Sequence, residues 1–189
     1  MDRWQLETDI MRHVTFGGAN SLDNFIARPD DGVDWLLWCN EAAQVMAEFW
    51  PTIDTVVMGR KTYDVQRRMS ENGVSPEGDS SGVRTYVFSR TLPEGQHGGA
   101  TIVREDAADF VRRLKAQDGK GICVMGGGEL ARSLFEAGLI DRLGMNIHPV
   151  LLGSGIPLFH PMTRQIGLEL EECRPFKNGC IYASYRVVY

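Results

Sequence analysis

Two rhythms of apolar residues alternate along this chain, and the switches between them lay out its elements. Short continuous or β-branched runs at residues 13–18, 53–58, 84–88, 101–103, 122–125 and 141–148 read as strands, the most continuous of them buried on both faces. Between them the spacing becomes helical. Ala42, Val45, Met46 and Phe49 fall at i, i+3, i+4 and i+7 ahead of Pro51, which predicts a helix over 41–49 with Asn40 as its N-cap. Phe110, Val111 and Leu114 mark a helix over 106–117, closed by Asp118-Gly119. Leu130, Leu134 and Phe135 mark one over 129–137 that stops at Gly138. Near the end the period is two: Ile166, Leu168 and Leu170, a turn at Asn178-Gly179, then Ile181, Ala183, Tyr185, Val187 and Tyr189. This order predicts an α/β protein, with a mostly parallel mixed sheet, helices on both faces and a C-terminal antiparallel hairpin.

The connections carry the candidate chemistry. Residues 121–138 run from a buried strand through Gly126, Gly127 and Gly128 into a helix, which brings bare backbone N–H groups to a helix N-terminus, a geometry suited to a phosphate. Taken alone, the same turn is equally well a tight connection with no ligand. A second strand-to-helix unit, residues 53–63, places Arg60 and Lys61 in a first helical turn, where the helix dipole disfavours cations. An anion would relieve that conflict; both side chains splaying into solvent is the alternative. Ser89 and Arg90 follow a third strand, and Ala19-Asn20 a first one. In open parallel sheets ligands lie outside the carboxyl ends of the strands, so these four points are expected to converge on one edge. Hydroxyl, arginine and glycine backbone together describe an anionic site of nucleotide type.

Composition narrows the partners. With 189 residues, 43% hydrophobic and 24% charged, the chain reads as one domain over 11–189 preceded by a polar leader at 1–10. A net charge of −5 argues against a nucleic-acid partner. No run approaches a membrane span and no apolar leader is visible, so a cytoplasmic setting is expected. Cys39, Cys123, Cys173 and Cys180 have neither zinc nor C-x-x-C spacing and read as reduced thiols, so no metal is expected. Residues 70–82 and 93–99 read as Gly-rich connectors, and 28–34 as a loop or lid leading to exposed-looking Trp35 and Trp38. The apolar loop at 151–159 and the exposed strands of the terminal hairpin predict a homodimer.

Met58-Gly-Arg-Lys-Thr-Tyr63, Val87-Phe-Ser-Arg90 and Met125-Gly-Gly-Gly-Glu-Leu130, in this order, resemble the dihydrofolate reductase-like superfamily. Ser21-Leu-Asp-Asn-Phe-Ile-Ala27, Gly138-Leu-Ile-Asp-Arg-Leu143 and His148-Pro-Val-Leu-Leu-Gly-Ser-Gly-Ile-Pro-Leu-Phe159 are similar to one branch of it, the reductase domain of the riboflavin-biosynthesis deaminase–reductase. The resemblance covers about 11–189 and implies the three-layer dihydrofolate reductase-like fold and an NADPH-dependent reductase acting on a small heterocyclic or carbonyl substrate. It also implies site residues. Gly126, Gly127, Gly128, Glu129 and Leu130 would pass the pyrophosphate, with a cis peptide in the glycine pair. Gly59, Arg60, Lys61 and Thr62 would hold pyrophosphate and 2′-phosphate, Ser89 and Arg90 would flank the adenosine, and Ala19 and Ile26 would lie beside the nicotinamide. Arginine's planar fork suits a 2′-phosphate, which favours NADP over NAD. Two departures stand out: Asn24 where the family has glycine, which a left-handed turn tolerates, and Asn146 where threonine is usual, at a strand position facing the substrate.

The proton donor is open. Folate reductases use a carboxylate on the helix matching 41–49, so Asn40 and Glu41 are candidates, with Asp34 in the loop as a rival and Glu41 as a helix-dipole partner as the bland reading. Trp35 and Trp38 would wall the substrate or belong to the core, and His148 reads as packed or capping. A true dihydrofolate reductase, and a nucleotide-binding scaffold without turnover, remain the alternatives.

Overall fold

The computed structural model describes residues 12–71 and 82–189. The expected leader and most of the loop at 70–82 lie outside the described residues, except that Ser70 and Glu71 end a helix. Among the described residues, eleven strands and four α-helices follow in the order β1 (Val14–Ser21), β2 (Phe25–Ala27), α1 (Asn40–Phe49), β3 (Ile53–Gly59), α2 (Arg60–Glu71), β4 (Arg84–Phe88), β5 (Gly95–His97), β6 (Ala100–Val103), α3 (Ala107–Lys115), β7 (Gly121–Met125), α4 (Gly128–Glu136), β8 (Arg142–His148), β9 (Ile156–Pro157), β10 (Gly167–Pro175) and β11 (Ile181–Val188). Nine strands form one sheet in the order β10-β11-β8-β1-β7-β3-β4-β6-β5, and β2 pairs with β9 apart from it.

The six central strands are mutually parallel, and within this sheet only β11 against β8, β10 against β11 and β5 against β6 run antiparallel. The mixed α/β sheet and the C-terminal hairpin are therefore as expected. Several boundaries differ. Strand β1 runs three residues past the expected end, because Ala19, Asn20 and Ser21 pair with Asn146, Ile147 and His148 of β8. The connector at 93–99 holds a short strand, turned back on β6 through Gly98 at φ 64°. Asn40 lies inside α1, and the cap is Cys39, whose Sγ accepts from the Ala42 N–H at 3.4 Å. Asn24 takes the left-handed conformation its position requires, φ 64°. Trp35 is buried rather than exposed, whereas Trp38 is 68% exposed.

The two faces of the sheet are unequally filled. Side chains alternate along a strand. On one face Val14 and Phe16 of β1, Ile122 and Val124 of β7, and Leu143 and Met145 of β8 are at most 4% exposed, packed against Val111, Leu114, Leu130 and Leu134 of α3 and α4. On the other, α1 packs Ala42 and Val45 against Phe176, Cys180 and Tyr182, while Tyr63 of α2 joins Val56, Met58 and Val87. Between those helices the middle strands present Gly17, Ala19, Met125, Gly144 and Asn146, all only half-buried. Central strands with both faces covered would be fully buried, so this pattern marks a cleft. Its floor is low because three of its five residues have little or no side chain.

At the amino edge of the sheet a buried Arg12 bonds Asp54 and Thr55, and under α3 Lys115 Nζ meets both Asp141 oxygens at 2.7 and 2.6 Å. Among the described residues, no helix is long and apolar enough to cross a membrane.

Candidate functional site

The cleft opens at the carboxyl edge of the parallel strands, where the four expected points do converge. β7 ends in Met125, and Gly126 and Gly127 follow at φ 67° and 82°, a backbone that side chains strongly disfavour. All described peptide bonds are trans, so the expected cis bond is not present; two left-handed glycines make the turn instead. This turn packs against the neighbouring strand-to-helix unit. A Cβ on Gly126 would stand 3.0 Å from Thr62 Oγ1, and one on Gly127 would stand 3.9 Å from Gly59 N. The N-termini of α4 and α2 therefore open side by side.

Those termini have the donors that an anion needs. Gly127 caps α4 without a side chain, and the first bond back to it comes from Ala131 N at 3.0 Å. The N–H groups of Gly128, Glu129 and Leu130 precede that bond and have no partner within the helix. Leu130's side chain faces the core, so its backbone is what it offers here. Gly128 has a different reason to be glycine: a Cβ there would stand 2.6 Å from Leu158 O and from the His160 ring. Ile26 likewise packs into the core, on β2.

Cations line the next three strand ends. Gly59, Phe88 and Val103 are in register on β3, β4 and β6, so Arg60, Ser89 and Arg104 follow side by side over about 10 Å. Arg60 donates from NH1 to Thr91 Oγ1 at 2.6 Å and from Nε to Asp64 at 3.0 Å, which ties α2 to the turn after β4. Ser89 is a turn builder: its Oγ accepts from the N–H groups of Thr91 and Leu92 at 3.2 and 3.0 Å. Exposed Arg90 receives Arg104 NH2 on its carbonyl at 3.0 Å. Arg104 is a cation of this edge that the sequence motifs do not include, although it stands just past a strand as Arg60 does. Lys61 is exposed in the same first turn.

The carboxylate candidates do not face the cleft as acids. Asp34 is exposed and paired with Arg28 at 2.9 Å, which holds it below the usual carboxylate range. Glu41 is held low chiefly by its own backbone N–H in the first turn of α1, with Lys177 nearby, so it serves as a helix-end partner. Asn40 is exposed beside it. A proton donor must hold its proton near neutral pH, and neither carboxylate is tuned for that. Asp23 is also committed: it accepts from Ser21 Oγ and from Leu152 and Gly153 N–H, fastening the loop after β8 to the end of β1.

Asn146 does sit on the cleft floor, in register with Ala19. Its Oδ1, Asn20 Oδ1 and Trp35 Nε1 are buried polar atoms without a partner, all around the ends of β1 and β8. Trp35 stands edge-on to buried His148, ring centres 5.4 Å apart. Unpaired buried polar atoms are uncommon and mark places where something else belongs. No group of three or more His, Cys, Asp or Glu among the described residues has a metal-binding arrangement. A cavity lined by Tyr63, Gln66, Arg67 and Gly98 lies at the far end of α2, away from this edge.

The family model of the RibD C-terminal domain matches residues 12–182. "Uncharacterized protein YwjB" of Bacillus subtilis (strain 168) is 36% identical over 159 residues, 84% of this chain and 88% of its own length. Among solved structures, a Shewanella sp. PV-4 protein named for riboflavin biosynthesis superposes with a TM-score of 0.78 at 23% identity, covering 94% of this chain and 99% of that one. The diaminohydroxyphosphoribosylaminopyrimidine deaminase/5-amino-6-(5-phosphoribosylamino)uracil reductase of Thermotoga maritima gives 0.68 at 16% identity, covering 96% of this chain and 58% of that one.

Proposed function

Because the chain belongs to the RibD C-terminal domain family, we propose that it is an NADPH-dependent reductase acting on a small pyrimidine-type heterocycle or related carbonyl compound. The observation that carries this is the pair of helix N-termini opening side by side at Gly126–Gly128 and Thr62, flanked by arginines at three successive strand ends.

The residues fit the cofactor in three stretches. The N–H groups of Gly128, Glu129 and Leu130, with Thr62 opposite, would hold the pyrophosphate. Arg60, Lys61, Arg90 and Arg104 would hold the 2′-phosphate, for which charge-assisted, bidentate donors are suited. The cleft floor at Ala19, Gly17 and Gly144 would accept a flat ring. Once bound, the nicotinamide supplies the hydride, and the protein orients substrate and excludes water. The floor residues include no acid, so the proton that accompanies the hydride would come from solvent or from the substrate's own tautomers. The pyrimidine class is taken from the reductase named above for Thermotoga maritima.

Fluorescence titration tests the cofactor. NADPH should bind at least about tenfold more tightly than NADH, since a charge-assisted contact contributes roughly 1.5–3 kcal/mol. Arg60→Ala should narrow that ratio. Equal affinities for the two in the wild type would sink the reading.

A further inference from the structure

Gly144 is a glycine that the fold itself does not require. It lies inside β8, where glycine weakens a strand and often marks the close approach of something else. Its φ is not positive, so the backbone does not call for glycine. Gly17, opposite it on β1, has a reason within the protein, because a Cβ there would collide with Gly144 O. A Cβ on Gly144 would meet no backbone. Among the described residues it would find within 4 Å only the side chain of Tyr182, the hydroxyl at 3.6 Å and Cε2 at 3.9 Å. Those are ordinary contact distances, and Gly144 is half-buried, so the space above it opens to the cleft.

Tyr182 reaches that space from the next strand. It is opposite Asn146 in the antiparallel pair of β8 and β11, which places it on the face shared by Ala19, Gly144 and Asn146. Its ring packs against Ala42, Phe176 and Cys180, the apolar cluster under α1. Its hydroxyl leans two residues down β8 to end beside Gly144, and so approaches β1, which lies one strand spacing of about 5 Å beyond β8. Ser184, opposite Gly144, hydrogen-bonds to the phenol oxygen. Burial raises the phenol's pKa, and Glu172 adds to the effect, so the group stays O–H through the neutral range. A phenol both accepts and donates. With Ser184 on its oxygen, its hydrogen is what it offers to the open floor.

We propose that Tyr182 is a specificity-determining residue of the cleft: a flat ring lies over Gly144, where a Cβ would otherwise stand, and accepts the Tyr182 O–H on a ring carbonyl or ring nitrogen. A cofactor held at α2 and α4 reaches β7 and β1 first, so the ring beside β11 belongs to the substrate. That last assignment rests on the reductase reading above; the open floor and the hydroxyl at its edge do not. The two residues act together, since a side chain at 144 would lift the ring away from the donor.

Calorimetry on the whole chain tests it, with 5,6-diaminouracil titrated into NADP⁺-saturated wild type, Tyr182→Phe, Gly144→Ala and the double variant. Tyr182→Phe keeps the ring that packs under α1, and Gly144→Ala adds one methyl at contact distance, so thermal melting should show both folded as the wild type is. Tyr182→Phe should weaken the uracil about three- to tenfold, the net worth of one hydrogen bond, while NADP⁺ binds it as before. Gly144→Ala should weaken the uracil at least as much, and adding Tyr182→Phe to it should cost little more. Unchanged uracil affinity in either single variant overturns the proposal and leaves the reductase reading intact. A wild type that binds NADP⁺ but no uracil also overturns it, with the cofactor half of that reading still standing. A wild type that binds the uracil, sensitive to both substitutions, but not NADP⁺ keeps the ring seat and sinks the reductase reading instead.

Discussion

Replacing Gly126 with alanine combines two costs that a second substitution can separate. The backbone there has φ 67°, and an L-residue in the left-handed region costs about 1–2 kcal/mol. The new methyl would also stand 3.0 Å from Thr62 Oγ1 and 3.1 Å from Thr62 Cγ2, tighter than ordinary contact. Overcrowding of that kind adds about 1 kcal/mol or more. Gly126→Ala should therefore lose about 2–3 kcal/mol in urea unfolding, and its melting temperature should drop about 2–4 °C per kcal/mol. Thr62→Ala in the same chain removes the crowding but leaves the dihedral strain, so the double variant should recover about 1 kcal/mol, a coupling expected of touching residues. NADPH affinity should follow the crowding, since a displaced Thr62 pulls the first turn of α2 away from that of α4. Strictly additive effects of the two substitutions would refute the contact argument. A destabilised Gly126→Ala that binds NADPH as the wild type does would refute the cradle.

Two further outcomes are expected. Lys115→Ala leaves the Asp141 carboxylate, which also accepts Val14 N–H at 2.7 Å, without its cation; breaking a buried pair costs about 3–5 kcal/mol, measurable by denaturant titration, and a loss under 1 kcal/mol would show the pair to be idle. Burial pushes His148 below its ordinary value of 6.5, so as pH falls through that value the unfolded chain takes up a proton that the folded one refuses. Stability should therefore decline from about pH 6.5 downward, and His148→Gln should flatten that part of the curve; an unchanged slope would argue that His148 is not held neutral.

The sequence shows most clearly what local chemistry decides. Gly126 and Gly127 are readable because a buried strand leads straight into a helix, and Arg60 and Arg90 because each stands one small residue, Gly59 or Ser89, past an apolar run. Arg104 directly follows the legible strand at 101–103, and what the sequence does not show is that β6 lies beside β4, which brings Arg104 to the same edge as Arg60 and Arg90. Contacts between distant segments are not readable at all. Cys39 as a cap depends on which side chain happens to reach Ala42 N, and residue type favours Asn40. Trp35 looks exposed beside a polar loop, and only the position of β8 puts His148 against it. Asn146 and His148 are two apart on a strand and so share a face, a signal that was available; that the Leu37 N–H reaches His148 Nδ1 was not. Glu41 and Asp34 were proposed as acids by residue type, and their actual partners, a helix end and Arg28, decide otherwise.

The position of β1 also governs how the molecule is assembled. It lies in the middle of the sheet, yet its neighbours are β7 and β8, with Val14 beside Ile122 and Thr15 beside Arg142. On a growing chain its backbone groups emerge early and wait for partners more than a hundred residues later. Closing so long a loop is paid before any contact rewards it, which slows folding and leaves an apolar strand unpaired meanwhile. Ala19 and Gly126 come together only at that closure. An arrested or truncated chain lacking β7 would therefore contain β3, α2 and the arginines, but no floor for the cleft and no second helix end: half a cradle, and an exposed strand prone to stick.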